Sequence, residues 1–358
     1  MRVLFDIVHP AHVHFFKHML HGLTKRGHET RIVAREKDVT TALLDRLGFS
    51  YETVGRSGKK SLLGMADELA RRNLVLARAA RAFKADLIVT RNPAGAQVGR
   101  LLGIRSVFDT DDGRAAGIHF WSAAPFAHII TTPDCSDEDY GARHVKYPGY
   151  KQTAYLHPDH HSPDASVLEQ LGVKPGERYF IVRFVAMVAS HDLGEGGLPA
   201  EAKRALIGKL QAHGRVFLSS EDALPPELSA LKFPLSPDKL HDALAFADLL
   251  VGDSQTVAAE AAVLGTPSLR VSSWTGRLAY LTELERRYGL TFAYQPGQAE
   301  KLLEHLDRWL AEPSLRASLA ASHTRLLADK IDVAEWFVDF LEAGAPRSGS
   351  KSRSWKRT

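Results

Sequence analysis

The sequence predicts an α/β protein built from two parallel-sheet domains. Short buried-strand patterns alternate with helical segments, this alternation is interrupted once and then restarts, and 358 residues exceed what one typical core accommodates. Alternation of this kind favours parallel sheets that are covered by helices on both faces.

The first half begins with a buried strand at 3–8, followed by a loop and a helix from about Val13 to Arg26 that ends at Gly27. Further elements of this half are strands at 30–34, 86–90, 105–109 and 129–131 and helices near 38–47 and 62–83. From 145 to 161 the pattern breaks into Tyr, Pro, Gly and His, which indicates the linker between the domains. An N-terminal domain at 1–152 is therefore expected.

The second half repeats the architecture, with strands predicted at 179–182, 216–218, 249–251 and 268–271. We expect a C-terminal domain at 153–331 and a separate apolar helix at 332–342. The remaining segment, 343–358, is rich in Gly, Ser and basic residues and is predicted to be a disordered tail.

Composition excludes several classes of protein. A hydrophobic fraction of 44% and a charged fraction of 25% are ordinary for a globular chain and exclude extensive disorder. The lone Cys135 excludes an intrachain disulfide and a cysteine metal cluster. No apolar run has the length of a membrane span and no signal-peptide pattern is present, so a cytoplasmic location is expected.

The net charge of +4 does not predict nucleic-acid binding. Five basic residues lie in the last sixteen positions without an acid, and removing them from the formal charge leaves −1. A nearly neutral body argues against specific recognition of nucleic acid.

The segment from Gly252 to Pro267 is the most informative part of the sequence. It has the pattern of a strand end, a polar turn, a short helix and a new strand. Ser254, Gln255 and Thr256 stand where the helix begins, so backbone N–H groups there are free to bind an anion. Glu260, one to two turns later, is placed to reach a ribose diol. An ordinary capped strand-helix-strand unit without a ligand is the alternative.

This pattern resembles the GT-B superfamily of nucleotide-sugar enzymes, which pairs two Rossmann-like parallel-sheet domains facing a central cleft. Asp253-Ser254, Glu260, Gly265 and Pro267 are similar in spacing to the donor segment of bacterial UDP-N-acetylglucosamine 2-epimerases. The Glu-Gly-Pro spacing also looks like that of the N-acetylglucosaminyltransferase that makes lipid II. The resemblance implies that Ser254 and its two successors hold a diphosphate and that Glu260 holds the ribose.

Two further segments look most like an uncharacterised GT-B-like family of bacteria and archaea, known as a domain of unknown function. They are His-Pro-Ala-His-Val-His-Phe-Phe-Lys at 9–17 and Tyr-Lys-Gln-Thr-Ala-Tyr-Leu-His-Pro at 150–158. The resemblance covers nearly the whole chain. It also implies that the helix at 332–342 packs back on the N-terminal domain.

Histidines are candidates for the base that an inverting sugar transfer requires, because their ordinary pKa is near neutrality. His12, at the mouth of the first loop, is the first candidate and His14 the second. A capping or loop role is the alternative for His12, and packing of the ring on a helix is the alternative for His14. Arg183, at a strand end, is a candidate for stabilising the departing diphosphate, with a surface ion pair as the alternative.

Four more polar residues are candidate contacts to donor or acceptor. Asp111 and Asp112 follow a strand of the first domain and are placed to orient an acceptor, or else form a solvated acidic loop. Ser220 follows the strand at 216–218. His241 lies in the region that holds the nucleobase in GT-B enzymes, or it simply starts a helix.

Six histidines in the first 28 residues raise the question of a metal. His14 and His18 share a helical face with the spacing of zinc ligands, but no glutamate stands between them. No metal site is therefore predicted, and no cofactor is expected, because the nucleotide sugar is a substrate.

The predicted function is transfer of a sugar from a UDP-sugar to an envelope or capsule precursor, or to a small molecule, without a metal. A non-hydrolysing UDP-sugar 2-epimerase and an inactive nucleotide-sugar-binding protein are the alternatives.

The segment 62–84 combines apolar and basic residues. Such a helix either lies on the inner face of the membrane, which would suit a lipid-linked acceptor, or packs on the sheet.

Overall fold

The computed structural model of the chain describes residues 1–36, 38–54, 62–184, 198–220 and 224–344. These residues form two compact units. Unit 1 contains Met1–Tyr155 and the residues from Ile331 onward, whereas unit 2 is the continuous segment Leu156–Lys330. The tail predicted at 343–358 lies outside the described residues from 345 onward.

Unit 1 contains a seven-stranded parallel sheet. Its strands are β1 (Arg2–Ile7), β2 (Glu29–Arg35), β3 (Tyr51–Val54), β4 (Leu87–Thr90), β5 (Arg105–Asp109), β6 (Ile129–Pro133) and β7 (His144–Tyr147). Its helices are α1 (Pro10–Lys25), α2 (Asp38–Arg46), α3 (Leu62–Phe83), α4 (Pro93–Leu102), α5 (Ile118–Ala123), α6 (Thr153–Leu156), which ends at the unit boundary, and α14 (Val333–Glu342).

The strand order in unit 1 is β3-β2-β1-β4-β5-β6-β7. The sheet is therefore built outward in both directions from β1 and β4, as in doubly wound folds. Ligands of such sheets bind beyond the carboxyl ends of the two strands where the order reverses. This switch point lies beyond Ile7 and Thr90.

Helix α1 begins earlier than the sequence predicts. It starts at Pro10 rather than near Val13, because proline fits the first position of a helix and His9 caps it by accepting from the Ala11 N–H at 3.2 Å. The loop expected between the first strand and Val13 is thus largely helix. As a result His12 lies in the first turn of α1 and not in a loop.

Strand β7 lies in the stretch that the sequence assigns to the linker. It pairs in parallel with β6, with Ile130 opposite His144, and its last residue, Tyr147, is fully buried. The strand is not apparent in the sequence because it has only four residues between the turn at Gly141–Arg143 and the Pro-Gly pair after it.

Helix α3 packs its apolar side on the sheet. Leu76 and Phe83 join a core cluster with Leu4, Val33 and Ile88 from the underlying strands. Packing on the sheet, one of the two roles expected for this helix, is therefore observed.

Helix α14 packs against α1 in unit 1. Phe337 is fully buried and its ring lies edge-on to Phe15, with centroids 5.6 Å apart. A Cβ at Gly22 would approach Val338 Cγ2 to 2.8 Å, so the glycine permits the close approach of the two helices.

Unit 2 contains a five-stranded parallel sheet. Its strands are β8 (Tyr179–Phe184), β9 (Arg215–Ser220), β10 (Leu249–Gly252), β11 (Ser268–Val271) and β12 (Thr291–Tyr294). Its helices are α7 (Ser166–Gln170), α8 (Ala200–Gln211), α9 (Leu240–Phe246), α10 (Gln255–Val263), α11 (Ala279–Arg286), α12 (Ala299–Leu310) and α13 (Leu315–Asp329).

The strand order in unit 2 is β12-β11-β10-β8-β9, so the switch point lies between β8 and β10. Core clusters cover both faces of this sheet, one with helices α8 and α12 and the other with α9 and α10.

In the part of the chain that the structure describes, no helix is both long and apolar enough to cross a membrane.

Candidate functional site

The predicted donor segment follows β10, at the switch point of unit 2. Gly252 pairs with Arg183 of β8, and a Cβ on this glycine would lie only 1.9 Å from the Arg183 carbonyl oxygen. Only a glycine fits there. The segment therefore starts from a tightly fixed strand end.

Helix α10 begins as the sequence predicts. Ser254 is its N-cap, and the side-chain oxygen accepts from the Val257 N–H at 3.4 Å. The N–H groups of Gln255 and Thr256 belong to the first turn, which has no acceptor earlier in the helix. The helix start therefore offers donors and the positive end of the helix dipole to an anion.

Glu260 and His241, predicted from separate segments, lie together. His241 Nε2 is 3.3 Å from Glu260 Oε1, and the glutamate is only 5% exposed. His241 stands in the first turn of α9. The carboxylate is thus largely shielded from water and held beside an imidazole.

Arg183 is hydrogen-bonded to the neighbouring strand β9. Its Nη1 donates to Ser219 Oγ at 2.9 Å, so the serine before the predicted Ser220 is its partner. Both serines end β9 and are partly exposed. These residues therefore lie at the carboxyl ends of neighbouring strands.

Arg270 is a residue of this region that sequence reasoning missed. It lies on β11, is 2% exposed, and its Nη1 donates to Gln255 Oε1 at 2.6 Å. Gln255 also donates from Nε2 to the Asp253 carbonyl oxygen at 3.3 Å. The side chain of Gln255 is therefore held within the protein, and its backbone N–H remains at the helix start.

His12 lies at the switch point of unit 1 and is partly buried. Burial lowers the pKa of the ring well below 6.5, and the positive charges of Arg91 and Lys151 lower it further, together with His9 and His119. His12 is therefore neutral at pH 7. Its Nδ1 accepts from the Val8 N–H at 3.5 Å, beyond the usual range of strong hydrogen bonds, so this contact does not fix the tautomer.

Beside His12, Arg91 forms a buried network of charges. It directly follows β4, and its guanidinium binds both Asp109 and Asp111. Lys151 Nζ lies 2.9 Å from the other oxygen of Asp111. Asp111 is 8% exposed, so a solvated acidic loop is the wrong description of this carboxylate.

The three carboxyl groups of this network differ in proton affinity. Burial raises the pKa of Asp109 to about 6, against the opposing effect of Arg91. Burial and the charge of Asp111 raise the pKa of Asp112 to about 6. The pKa of Asp111 is instead held far below its ordinary value, because Arg91 and Lys151 outweigh burial. The cluster thus combines one permanent carboxylate with two that titrate near neutrality.

His14 and His18 do not share the environment of His12. The ring of His14 lies 5.4 Å from that of Tyr155, which is fully buried. Residues two apart on a helix point in nearly opposite directions, so His14 is turned away from His12. Among the described residues, no third histidine, cysteine or carboxylate joins His14 and His18 within ligating distance.

Sequence reasoning missed Arg91 and Lys151, although a signal existed for each. Arg91 directly follows a buried strand, and Arg183 is a candidate because of the same kind of position at a strand end. Lys151 lies inside the 150–158 segment on which the resemblance rests. Their partners are far away in sequence, so the charge pairing was not apparent.

The arrangement of both sheets defines the class of the fold. The structure superimposes on S. aureus MnaA in a co-structure with UDP with a TM-score of 0.69 at 10% identity, covering 99% of this chain and 100% of that one. UDP-GlcNAc 2-epimerase from Neisseria meningitidis bound to UDP-GlcNAc gives 0.66 at 12% identity, with 96% and 100% covered. The spinosyn rhamnosyltransferase SpnG complexed with thymidine diphosphate gives 0.60 at 19%, with 97% and 100% covered. The chain has a GT-B fold.

Residues 1–196 match the family model described as "Protein of unknown function (DUF354)". This match spans more than half of the chain, and the protein belongs to that family. No protein of curated function matches the sequence.

Proposed function

We propose that the protein is a nucleotide-sugar enzyme whose unit 2 binds the nucleoside diphosphate. The proposal rests on one observation above all: Glu260 is buried beside His241, in the helix whose first turn offers N–H donors to an anion. A carboxylate accepts two hydrogen bonds from a ribose diol, and the helix start suits a diphosphate. The structures with the same fold include an epimerase bound to UDP-GlcNAc, a protein in a co-structure with UDP and a rhamnosyltransferase complexed with thymidine diphosphate, which supports this class of ligand.

The reaction we propose is transfer of the sugar from a UDP-sugar to a hydroxyl group. The hydroxyl oxygen attacks the anomeric carbon, its proton passes to the neutral ring of His12, and the bond to the diphosphate breaks. The start of α10 and Arg183 would stabilise the negative charge on the departing diphosphate. A His12 that is neutral at pH 7 supports its assignment as the base.

The acceptor we propose is an envelope or capsule precursor, or a small molecule, and the transfer needs no metal ion. A lipid-linked acceptor would bring the protein to the inner face of the membrane. The exposed apolar residues Met65 and Leu74 on α3, among its basic residues, are the support for such contact.

Epimerisation at C2 of a UDP-sugar is the second candidate, because it requires carboxyl groups that exchange protons. Asp109 and Asp112, with pKa values raised to about 6, support this reaction. The ion pair between Arg91 and Asp109 opposes it, since it restrains that carboxylate. An inactive protein that only binds nucleotide sugars is the third possibility that the test below distinguishes.

The test is calorimetric titration with UDP, UDP-N-acetylglucosamine, GDP and dTDP in metal-free buffer, on the wild type and on Glu260→Ala. We expect one nucleotide to bind, and Glu260→Ala to weaken it by about 1.5 kcal/mol or more, the scale of a hydrogen bond to a charged group. The exposed Glu304→Ala on α12 is the control and should bind normally.

Absence of binding by all four ligands would refute the donor site. If binding is found, turnover of the sugar nucleotide without an acceptor would favour the epimerase. Turnover only with an added acceptor would favour the transferase, and binding without turnover in an acceptor screen would favour the inactive protein.

A further inference from the structure

The guanidinium group of Arg270 is buried at the start of α10. Arg270 stands on β11 opposite Gly252 of β10, and its Nη1 reaches Gln255, the first residue of the helix. The side chain is 2% exposed. A cation is therefore placed where the helix already favours a negative charge.

This buried charge is poorly neutralised. Gln255 is a neutral partner, and the Glu285 carboxylate is 4.0 Å from Arg270 Nη2. Among the described residues, Arg270 Nε has no hydrogen-bond partner. A buried guanidinium is unfavourable unless its donors are satisfied and an anion compensates its charge.

The pKa shifts of this pair agree with weak pairing. Burial lowers the pKa of Arg270 against the opposing effects of Tyr280 and Glu285, and burial raises the pKa of Glu285. In each group burial, which disfavours the charged form, outweighs the effect of the partner. Glu285 is therefore not a sufficient counter-ion.

Arg91 in unit 1 is a buried arginine whose charge is neutralised by carboxylates of the protein. Its guanidinium binds two carboxylates, Asp109 and Asp111, at close range. Arg270 has neither contact, although it is buried as well. Its arrangement thus differs from that of an arginine whose role is to stabilise the core.

We propose that Arg270 binds a phosphate of the nucleotide, together with the N–H groups of the first turn of α10. The inference rests on the proposed nucleotide site and adds to it a residue that recognises the phosphates without a divalent cation. The phosphate oxygens supply the anion and the acceptor for Nε that the protein lacks there. Guanidinium binds phosphate with paired N–H donors, which an amide cannot replace.

The experiment compares three ligands on four proteins by calorimetry, in EDTA and in MgCl₂. The ligands are the diphosphate that the wild type binds best among UDP, dTDP and GDP, its monophosphate and its nucleoside. The variants are Arg270→Gln, Gln255→Glu and the control Arg316→Gln. Arg316 donates to the carbonyl oxygens of Ala245 and Ala247, before β10 begins.

We expect Arg270→Gln to weaken diphosphate binding by about 10- to 100-fold and to leave the nucleoside unchanged. Gln255→Glu has the same shape as the native residue but supplies a carboxylate to Arg270. It should lower diphosphate affinity in the same ligand-selective way and raise the melting temperature. Arg316→Gln should bind all three ligands in the wild-type order, and Mg²⁺ should not increase wild-type affinity.

Gln255→Glu keeps the test decisive if Arg270→Gln does not fold. Equal losses for nucleoside and diphosphate in the variants, or unchanged diphosphate binding, would overturn the role of Arg270 while the nucleotide site stands. Wild-type protein that binds no nucleotide would instead refute the proposed function itself.

Discussion

His241 Nε2 lies 3.3 Å from Glu260 Oε1, although the two residues belong to different helices. The imidazole restrains the carboxylate, and the pair lies in the helix layer of unit 2 beside the switch point. A restrained carboxylate loses less conformational freedom when it binds a diol. On the proposed role of Glu260, we therefore expect His241 to act as its positioning residue.

This assignment predicts unequal, non-additive effects on nucleotide binding. His241→Ala should weaken binding by about 1 kcal/mol, less than Glu260→Ala, because it removes a support and not the contact. The double variant should resemble Glu260→Ala alone, since coupled residues are not additive. Calorimetry checks this, with His213→Ala, an exposed histidine of the same unit, as the control. Additive losses would show that His241 acts independently.

The neutral state of His12 is open to direct measurement. Its pKa is lowered, so the ring should remain neutral as the pH falls through 6.5 and should protonate only at lower pH. Lys151→Met removes one of the charges that lower this pKa, and the titration should move upward, toward 6.5. NMR titration of the ring gives the pKa of His12 in the wild type and in Lys151→Met. The signal is assigned by comparison with His12→Gln. Lys146→Met, at an exposed lysine of β7, should leave the curve in place.

Loss of the base should affect turnover and not donor binding. Once the reaction is assayed, His12→Gln should reduce kcat by about 10²- to 10⁴-fold, the usual effect of removing a general base. His14→Gln should retain most activity, because His14 is turned toward Tyr155. Calorimetry with the nucleotide should give wild-type affinity for both variants. Full activity in His12→Gln would remove this residue from the mechanism.

Asp111 should be essential for the stability of unit 1. Asp111→Asn deprives Arg91 and Lys151 of a shared buried counter-ion and should lower the free energy of unfolding at pH 7 by about 3 kcal/mol. Because the pKa of Asp111 is lowered in the folded state, its contribution is present above the ordinary value of 3.8 and is lost as the pH falls below it. The difference in unfolding free energy between Asp111→Asn and wild type, measured with urea, should therefore be smaller below pH 4 than at pH 7.

Asp112→Asn is the matched control for this measurement. The pKa of Asp112 is raised to about 6, so its charged form is disfavoured in the folded state at pH 7. Replacing it with a neutral amide should leave the unfolding free energy unchanged or slightly higher. An equal loss in both variants would contradict the distinct roles of the two neighbours.

Packing of α14 should stabilise unit 1 specifically. Phe337→Ala removes a fully buried ring, and such a change costs about 3–5 kcal/mol. Hydrogen exchange should increase in β1 and α1. Leu306→Ala, at a fully buried site of α12 in unit 2, should increase exchange in β8 and α12 instead. Identical exchange patterns in the two variants would refute this assignment.

Much of the fold was predictable because its signals are local. The short helix predicted within the segment from Gly252 to Pro267 is α10, since a capping serine, an apolar run and a glycine stop lie within a dozen residues. Helix α4 was not predicted, because Gly95 and Gly99 weaken its helical pattern. These glycines have a reason that only the fold reveals: a Cβ would lie 2.5 Å from Thr90 and 2.8 Å from Ser106.

The candidate sites were predictable only in part, for a related reason. Glu260 and Ser254 belong to one short motif, so their shared helix could be inferred from spacing. Arg270 approaches Gln255 from the next strand, and Lys151 reaches Asp111 across forty positions. Pairing of charges across such distances depends on strand order, which local patterns do not specify.

The return of the chain to unit 1 through α14 has a consequence for its synthesis. On the ribosome, all of unit 2 is made before the helix that covers α1 exists. The surface formed by Phe15 and Gly22 therefore stays uncovered while some 180 further residues are translated. We expect the nascent first unit to be the part of this protein that depends most on chaperones.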